Sequence, residues 1–174
     1  MPVAMKGPET EQIYEKWKRL TIEEKINVIG KVNLPDEKMY ELWQLLTPEE
    51  KKRLREWANN LFTHEGLVAY KFIQRVERAM VSRIEALREA GPQEKEQIYG
   101  MWKRLTIEEK INVIGKVNLP DEKMYELWQL LTPEEKQYVQ TNVDPFTPEG
   151  LILFKFMEIV KNVEKQKMEK QKME

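Results

Sequence analysis

WKRLTIEEKINVIGKVNLPDEKMYELWQLLTPEEK, residues 17–51, decides the fold, because it recurs letter for letter at residues 102–136. Thirty-five identical residues at a constant offset of 85 mean that one structural unit is carried twice along the chain. The block spells out helices. Thr21-Ile-Glu-Glu24 has the pattern of a capping box: the hydroxyl accepts from a backbone N–H of the first turn, and Glu24 reaches back to the capping residue. Ile22, Ile26, Ile29 and Val32 follow at helical spacing and predict a buried stripe. Asn33-Leu-Pro-Asp36 then stops one helix and starts another, since proline suits a first turn and breaks an interior. Met39, Leu42, Trp43 and Leu46 give the third helix its apolar face. Thr47-Pro-Glu-Glu50 repeats the start signal for a fourth.

Outward from the block, residues 1–10 read as a loose leader. A first helix is expected after Gly7-Pro8, with Ile13, Trp17 and Leu20 on one face. Downstream, the fourth helix carries Leu54, Trp57, Ala58 and Leu61. A fifth is expected from Thr63 to about Ala90, with Ala69, Ile73, Val76, Met80, Ile84 and Leu87 as its stripe, closed by Gly91-Pro92. Glu96-Gln-Ile-Tyr99 then repeats Glu11-Gln-Ile-Tyr14. After Lys136 the copies diverge, and Asp144-Pro145 should shorten the second copy's fourth helix. They meet again at Phe62-Thr-His-Glu-Gly-Leu67 and Phe146-Thr-Pro-Glu-Gly-Leu151. The five-residue repeat EKQKM, from Glu164, does not track a helical turn. It reads as a solvated helical extension or a disordered end.

The fold class that follows is all-α: a tandem duplication of a compact bundle of about five short helices, the copies joined by a longer helix. Residues 1–90 form the first copy with its connecting helix. Residues 91–174 form the second, with a charged tail. Identical helices can dock on either copy or on another molecule, so a domain-swapped homodimer is one expectation. A recent duplication accounts for identity of this kind, and so does an engineered or designed tandem without a natural function.

Composition narrows the function. Twenty-nine basic and 30 acidic residues leave a net charge of −1, so no global field draws nucleic acid or an anionic membrane. There is no cysteine, hence no disulfide, thiolate metal site or cysteine nucleophile, and a cytoplasmic setting is the default. The longest apolar run, LILF at residues 151–154, is too short to span a bilayer. Catalysis has little to draw on: His64 and Ser82 are the sole histidine and serine, and His64 reads as a first-turn surface residue. Glu23/Glu24, Glu49/Glu50, Glu108/Glu109 and Glu134/Glu135 each follow a capping threonine, where the helix dipole explains them better than a metal does. No cofactor or metal is expected. Gly30 and Gly115 stand alone in helical sequence, marking a close helix approach rather than a phosphate loop.

The reading is therefore a non-enzymatic helical protein-interaction or scaffold module, bivalent through its two copies, contacting protein partners where the copies differ. The residues selected are Lys52, Arg53, Arg55 and Trp57 in the first copy and Tyr138, Phe154 and Phe156 in the second. The run 151–157, apolar nearly all round, implies burial on more than one side. The alternative is a nucleic-acid-binding protein using a basic stripe of Lys51, Lys52, Arg53, Arg55, Lys71, Arg75 and Arg78. Interspersed Glu49, Glu50, Glu56 and Glu77 weaken that stripe, and a solvated helix face competes with it.

Overall fold

The structure is a computed structural model that describes residues 8–173, and the elements in it are helices and turns. The expected leader falls largely outside the described residues. The first copy contributes α1 (Pro8–Arg19), α2 (Ile22–Lys31), α3 (Asp36–Gln44), α4 (Pro48–Trp57) and α5 (His64–Glu85). A short 3-10 helix, Ala86–Arg88, follows. The second contributes α6 (Pro92–Arg104), α7 (Ile107–Lys116), α8 (Asp121–Gln129), α9 (Pro133–Thr141) and α10 (Pro148–Met173). The chain is all-α, as the patterning predicts.

Two compact units result, Met1–Ala79 and Met80–Glu174. The division falls inside α5, upstream of the 90/91 boundary drawn from the sequence. Met80, Ile84 and Leu87 are all buried, so the end of α5 and its 3-10 turn form part of the second unit's core rather than a bare connection.

Four helix starts, those of α2, α4, α7 and α9, are made by the capping residues that predict them. Thr21, Thr47, Thr106 and Thr132 all complete capping boxes: the threonine oxygen accepts from the N–H of the glutamate at the third helical residue, and that glutamate's carboxylate accepts from the threonine N–H. Such a box is worth about 1 kcal/mol per helix. The second copy's fourth helix, α9, ends at Thr141, one residue before the counterpart of Trp57 at which α4 ends, so Asp144-Pro145 does little to set its length.

The core of the first unit is Trp17, Ile22, Ile26, Ile29, Met39, Leu42, Trp43, Leu46 and Leu54 against Ala69, Phe72 and Val76. Trp43 meets Phe72 edge-on at 5.9 Å between ring centroids, and Trp128 meets Phe156 the same way at 6.0 Å. The Trp17 indole N–H donates to the Leu42 carbonyl at 3.2 Å; Trp102 does so to Leu127 at 3.1 Å. Gly30 and Gly115 do mark close approaches, to Val68 and Ile152 respectively.

Several expected core positions lie elsewhere. Val32 adopts an extended backbone as the C-cap of α2, so it leaves the stripe and stands exposed. Leu61 falls beyond the end of α4 and is exposed as well. Phe72 rather than Ile73 points at Trp43, because Ile73 sits one position round the helix. In α10, Leu153, Phe156 and Met157 are buried while Leu151 and Phe154 remain on the surface, so burial there is one-sided. The EKQKM tail continues α10 as an exposed helix, with Lys167 3.7 Å from Glu122.

Tyr14 donates to Glu41, and Tyr99 donates to Glu126. Burial, then the carboxylate partner, pushes each phenol up to about 12. An unfolded tyrosine ionises near 10, so this contribution to stability is complete below about pH 10 and is lost as pH rises towards about 12. Urea midpoints measured across that window should fall for the wild-type chain and fall less for the Y14F/Y99F variant. Parallel curves would refute the assignment.

Candidate partner-binding surface

The first copy's selected residues collect at the end of α4. Arg53 lies 5.0 Å over the Trp57 ring and 3.2 Å from a Glu23 carboxylate oxygen of α2. Trp57 is half-buried. It lines a cavity of about 370 Å³ together with Glu23, Ile26, Asn27, Glu56, Asn60, Thr63 and Glu65. An aromatic wall and an isoleucine floor within an acidic rim suit an apolar side chain flanked by positive charge. Lys52 is exposed on the same helix; Arg55 turns back over the Trp43 ring at 5.3 Å.

In the second copy Tyr138 occupies Arg53's place. Burial, followed by Glu149 and Glu108, pushes its hydroxyl pKa up. Glu108 is the counterpart of Glu23, so the same acid meets a guanidinium in one unit and a phenol in the other. Phe154 is partly exposed and lines a second cavity of about 320 Å³ with Gln140, Val143, Met157, Glu158 and Lys161. Phe156 does not belong with it. Its ring is packed on Trp128 in the core, so it cannot serve as a surface contact.

The basic stripe is largely spent within the fold. Arg75 sits 2.9 Å from Asp36 and also donates to the Leu34 carbonyl, and Arg78 is 3.2 Å from the other Asp36 oxygen. The Arg75 hydrogen bond, opposed by burial and aided by Arg78, holds the Asp36 carboxyl below its ordinary value. Lys51 lies 5.4 Å over Trp43. Lys52 and Lys71 remain as exposed cations. In the second unit Ile159 and Asn162 stand where Arg75 and Arg78 stand in the first.

One pair of surface residues lies outside the sequence-predicted set. Phe62 is 101% exposed and Phe146 is 92% exposed, each at the tip of the loop before the last helix of its copy. The loops are tightly tied. Asn60 Oδ1 accepts from the Phe62 N–H at 3.1 Å, and Asp144 Oδ1 accepts from the Phe146 N–H at 2.9 Å. Thr63 and Thr147 each accept from a glycine N–H, of Gly66 and Gly150, at 3.0 Å. The available signal was the return of Phe-Thr-x-Glu-Gly-Leu after a stretch in which the copies share little.

Among the described residues no group of three histidine, cysteine or acidic side chains could hold a metal ion, and no helix is long and apolar enough to cross a membrane. Fold and surface define an all-helical protein built from two small helical units with matched cores and unlike fourth helices. Compared with protein-family models, with curated proteins and with solved structures, the chain matches none.

Proposed function

We propose that this chain is a non-enzymatic, bivalent protein-interaction module of the cytoplasm, each unit offering a fixed phenylalanine beside a surface particular to that unit. One observation carries the reading: Phe62 and Phe146, nearly fully exposed, are presented by equivalent loops. A single exposed apolar residue is unremarkable. The same aromatic held out by the same hydrogen-bonded loop in both copies supports an anchor that inserts into a partner, at low entropic cost because the loop is already ordered. Trp57 with its acidic cleft, and Phe154 with Tyr138 near the second loop, would give the two anchors different neighbours. Two linked sites raise the effective concentration of the second contact. The internal pairing of Arg75, Arg78 and Arg53 weighs against the nucleic-acid alternative, whose remaining cations would be Lys52 and Lys71 together with Lys51 and Arg55 packed over Trp43.

The test uses the full chain as bait in nuclease-treated and in untreated lysate, beside F62A/F146A and W57A variants. The substituted side chains are wholly or half exposed, so folding should be preserved. A protein retained at high salt by the wild type and reduced about tenfold by F62A/F146A is the expected result. Retention of nucleic acid alone, at low salt and abolished by K52Q/K71Q, would replace this reading with the alternative.

A further inference from the structure

Where two units share a sequence, differences in burial report what lies against it. Ile13 is 46% exposed but Ile98, in the same tetrapeptide, is 8% exposed. Val28 is 37% exposed and its identical counterpart Val113 is 0% exposed. Glu24 is exposed where Glu109 is buried. In the second unit the segment from Met80 through the 3-10 turn lies against α6 and the end of α7. Met80, Ile84 and Leu87 are buried at i, i+4 and i+7. Glu85 accepts from the Asn118 backbone N–H at 3.0 Å, fixing the segment beside the end of α7, and Arg83 and Ala86 line a cavity with Ile98, Met101 and Arg104 of α6. Among the described residues of the first unit, α1 is the first element.

We propose that the exposed α1–α2 face of the first unit, centred on Ile13, Val28 and Val32, binds an acidic amphipathic helix of another protein in the way that residues 80–88 lie on the second unit. The occupied copy specifies the ligand: aliphatic side chains at i, i+4 and i+7, with a carboxylate one residue after the second of them to accept from the Asn33 N–H. The substitutions between copies specify its charge. Lys16 stands in place of buried Met101 and lies one helical turn from Arg19, the counterpart of Arg104, so an arginine at the Arg83 position would meet two like charges. A glutamate there would pair with them. Another molecule of this chain is a poor donor. The exposed end of α10 offers Glu164, Met168 and Gln171 at the positions of Met80, Ile84 and Leu87, one apolar residue of three. Ile13, Lys16, Val28 and Val32 line neither the Trp57 nor the Phe154 cavity, so this face is independent of the anchors described above.

The probe is a stapled helical peptide with the sequence of residues 79–90 carrying Arg83→Glu, titrated into the full chain with methyl-labelled isoleucine and valine. Shifts should appear at Ile13, Val28 and Val32 and be absent at Ile98 and Val113. Lys16→Glu in the chain, or retention of arginine in the peptide, should weaken binding by about tenfold, and Val28→Asp should abolish the shift at Ile13. No methyl perturbation at millimolar peptide would overturn the proposal, as would shifts confined to Ile98 and Val113. Concentration-dependent shifts of Ile13 in the free chain, lost on deleting residues 164–174, would overturn it in favour of self-association.

Discussion

E50Q and E135Q are each expected to lower the free energy of unfolding by about 3 kcal/mol, against about 1 kcal/mol for K25M and K110M. Lys25 Nζ and Glu50 Oε2 are 2.7 Å apart, and Lys110 with Glu135 repeats the pair at 2.7 Å. The partners are unequally buried: the lysines are 3% and 2% exposed, the glutamates 18% and 17%. Each ammonium also lies over a core tryptophan, 5.7 Å from Trp17 and 5.8 Å from Trp102. Removing the carboxylate leaves a desolvated cation with no counter-charge. Removing the cation leaves a carboxylate that still reaches solvent and still accepts from its capping N–H, at 3.0 Å in both units, while methionine fills the space of the lysine stem.

Urea denaturation of the full chain distinguishes the two. Equal losses for E50Q and K25M would show that the asymmetry of burial is not felt. Acid pH gives a second check on the first unit. Burial raises the Glu50 carboxyl, but the Lys25 hydrogen bond and the Thr47 contacts outweigh it and hold its pKa low. Its contribution is therefore present above the ordinary carboxylate range and is lost as pH falls through the lowered value. E50Q should remove that part of the acid dependence.

G66A and G150A should each destabilise by about 3 kcal/mol, whereas G115A should cost less than about 1 kcal/mol. Alanine in a helix ordinarily gains about 0.5–1 kcal/mol over glycine, so the sign depends on what the new methyl meets. At Gly66 a Cβ would lie 1.8 Å from the Asn60 carbonyl oxygen and 2.6 Å from that of Trp57; at Gly150 it would lie 2.4 Å from the Asp144 oxygen. These are backbone atoms of the loop folded over the helix start, and relieving the clash means opening that loop. At Gly115 the obstacle is the Ile152 Cδ1 at 2.7 Å, the end of a side chain that can change rotamer. Thermal unfolding ranks the three, and G115A as costly as G66A would contradict the argument. Because the same loops display Phe62 and Phe146, G66A and G150A should also weaken any partner that uses those rings.

Partner chemistry was the least legible property. Lys52, Arg53, Arg55 and Trp57 stand out in the sequence because the copies differ there, and Arg53 lies over the Trp57 ring beside one cleft. Difference between copies does not report burial, however. Phe156 stands where the first copy has Phe72, so no difference marks it, and it lies in the core; Arg75 and Arg78 do differ from their counterparts, yet read as a basic stripe only until Asp36 is found between them. Phe62 and Phe146 are not legible as surface residues, because nothing in a loop's local pattern reveals whether its apolar residue folds inward.

The sequence by itself determined the helices and their starts, the doubling of the unit and most of its core, because capping boxes, proline breaks and the spacing of Met39, Leu42, Trp43 and Leu46 act over a few residues. Tertiary structure alone decided that Lys25 is buried, since its partner Glu50 is 25 residues away. It alone decided that Val113 is covered and Val28 is not. Those valines have identical neighbours along the chain, and burial depends on which other helices come to lie against a face, a property that local sequence does not contain.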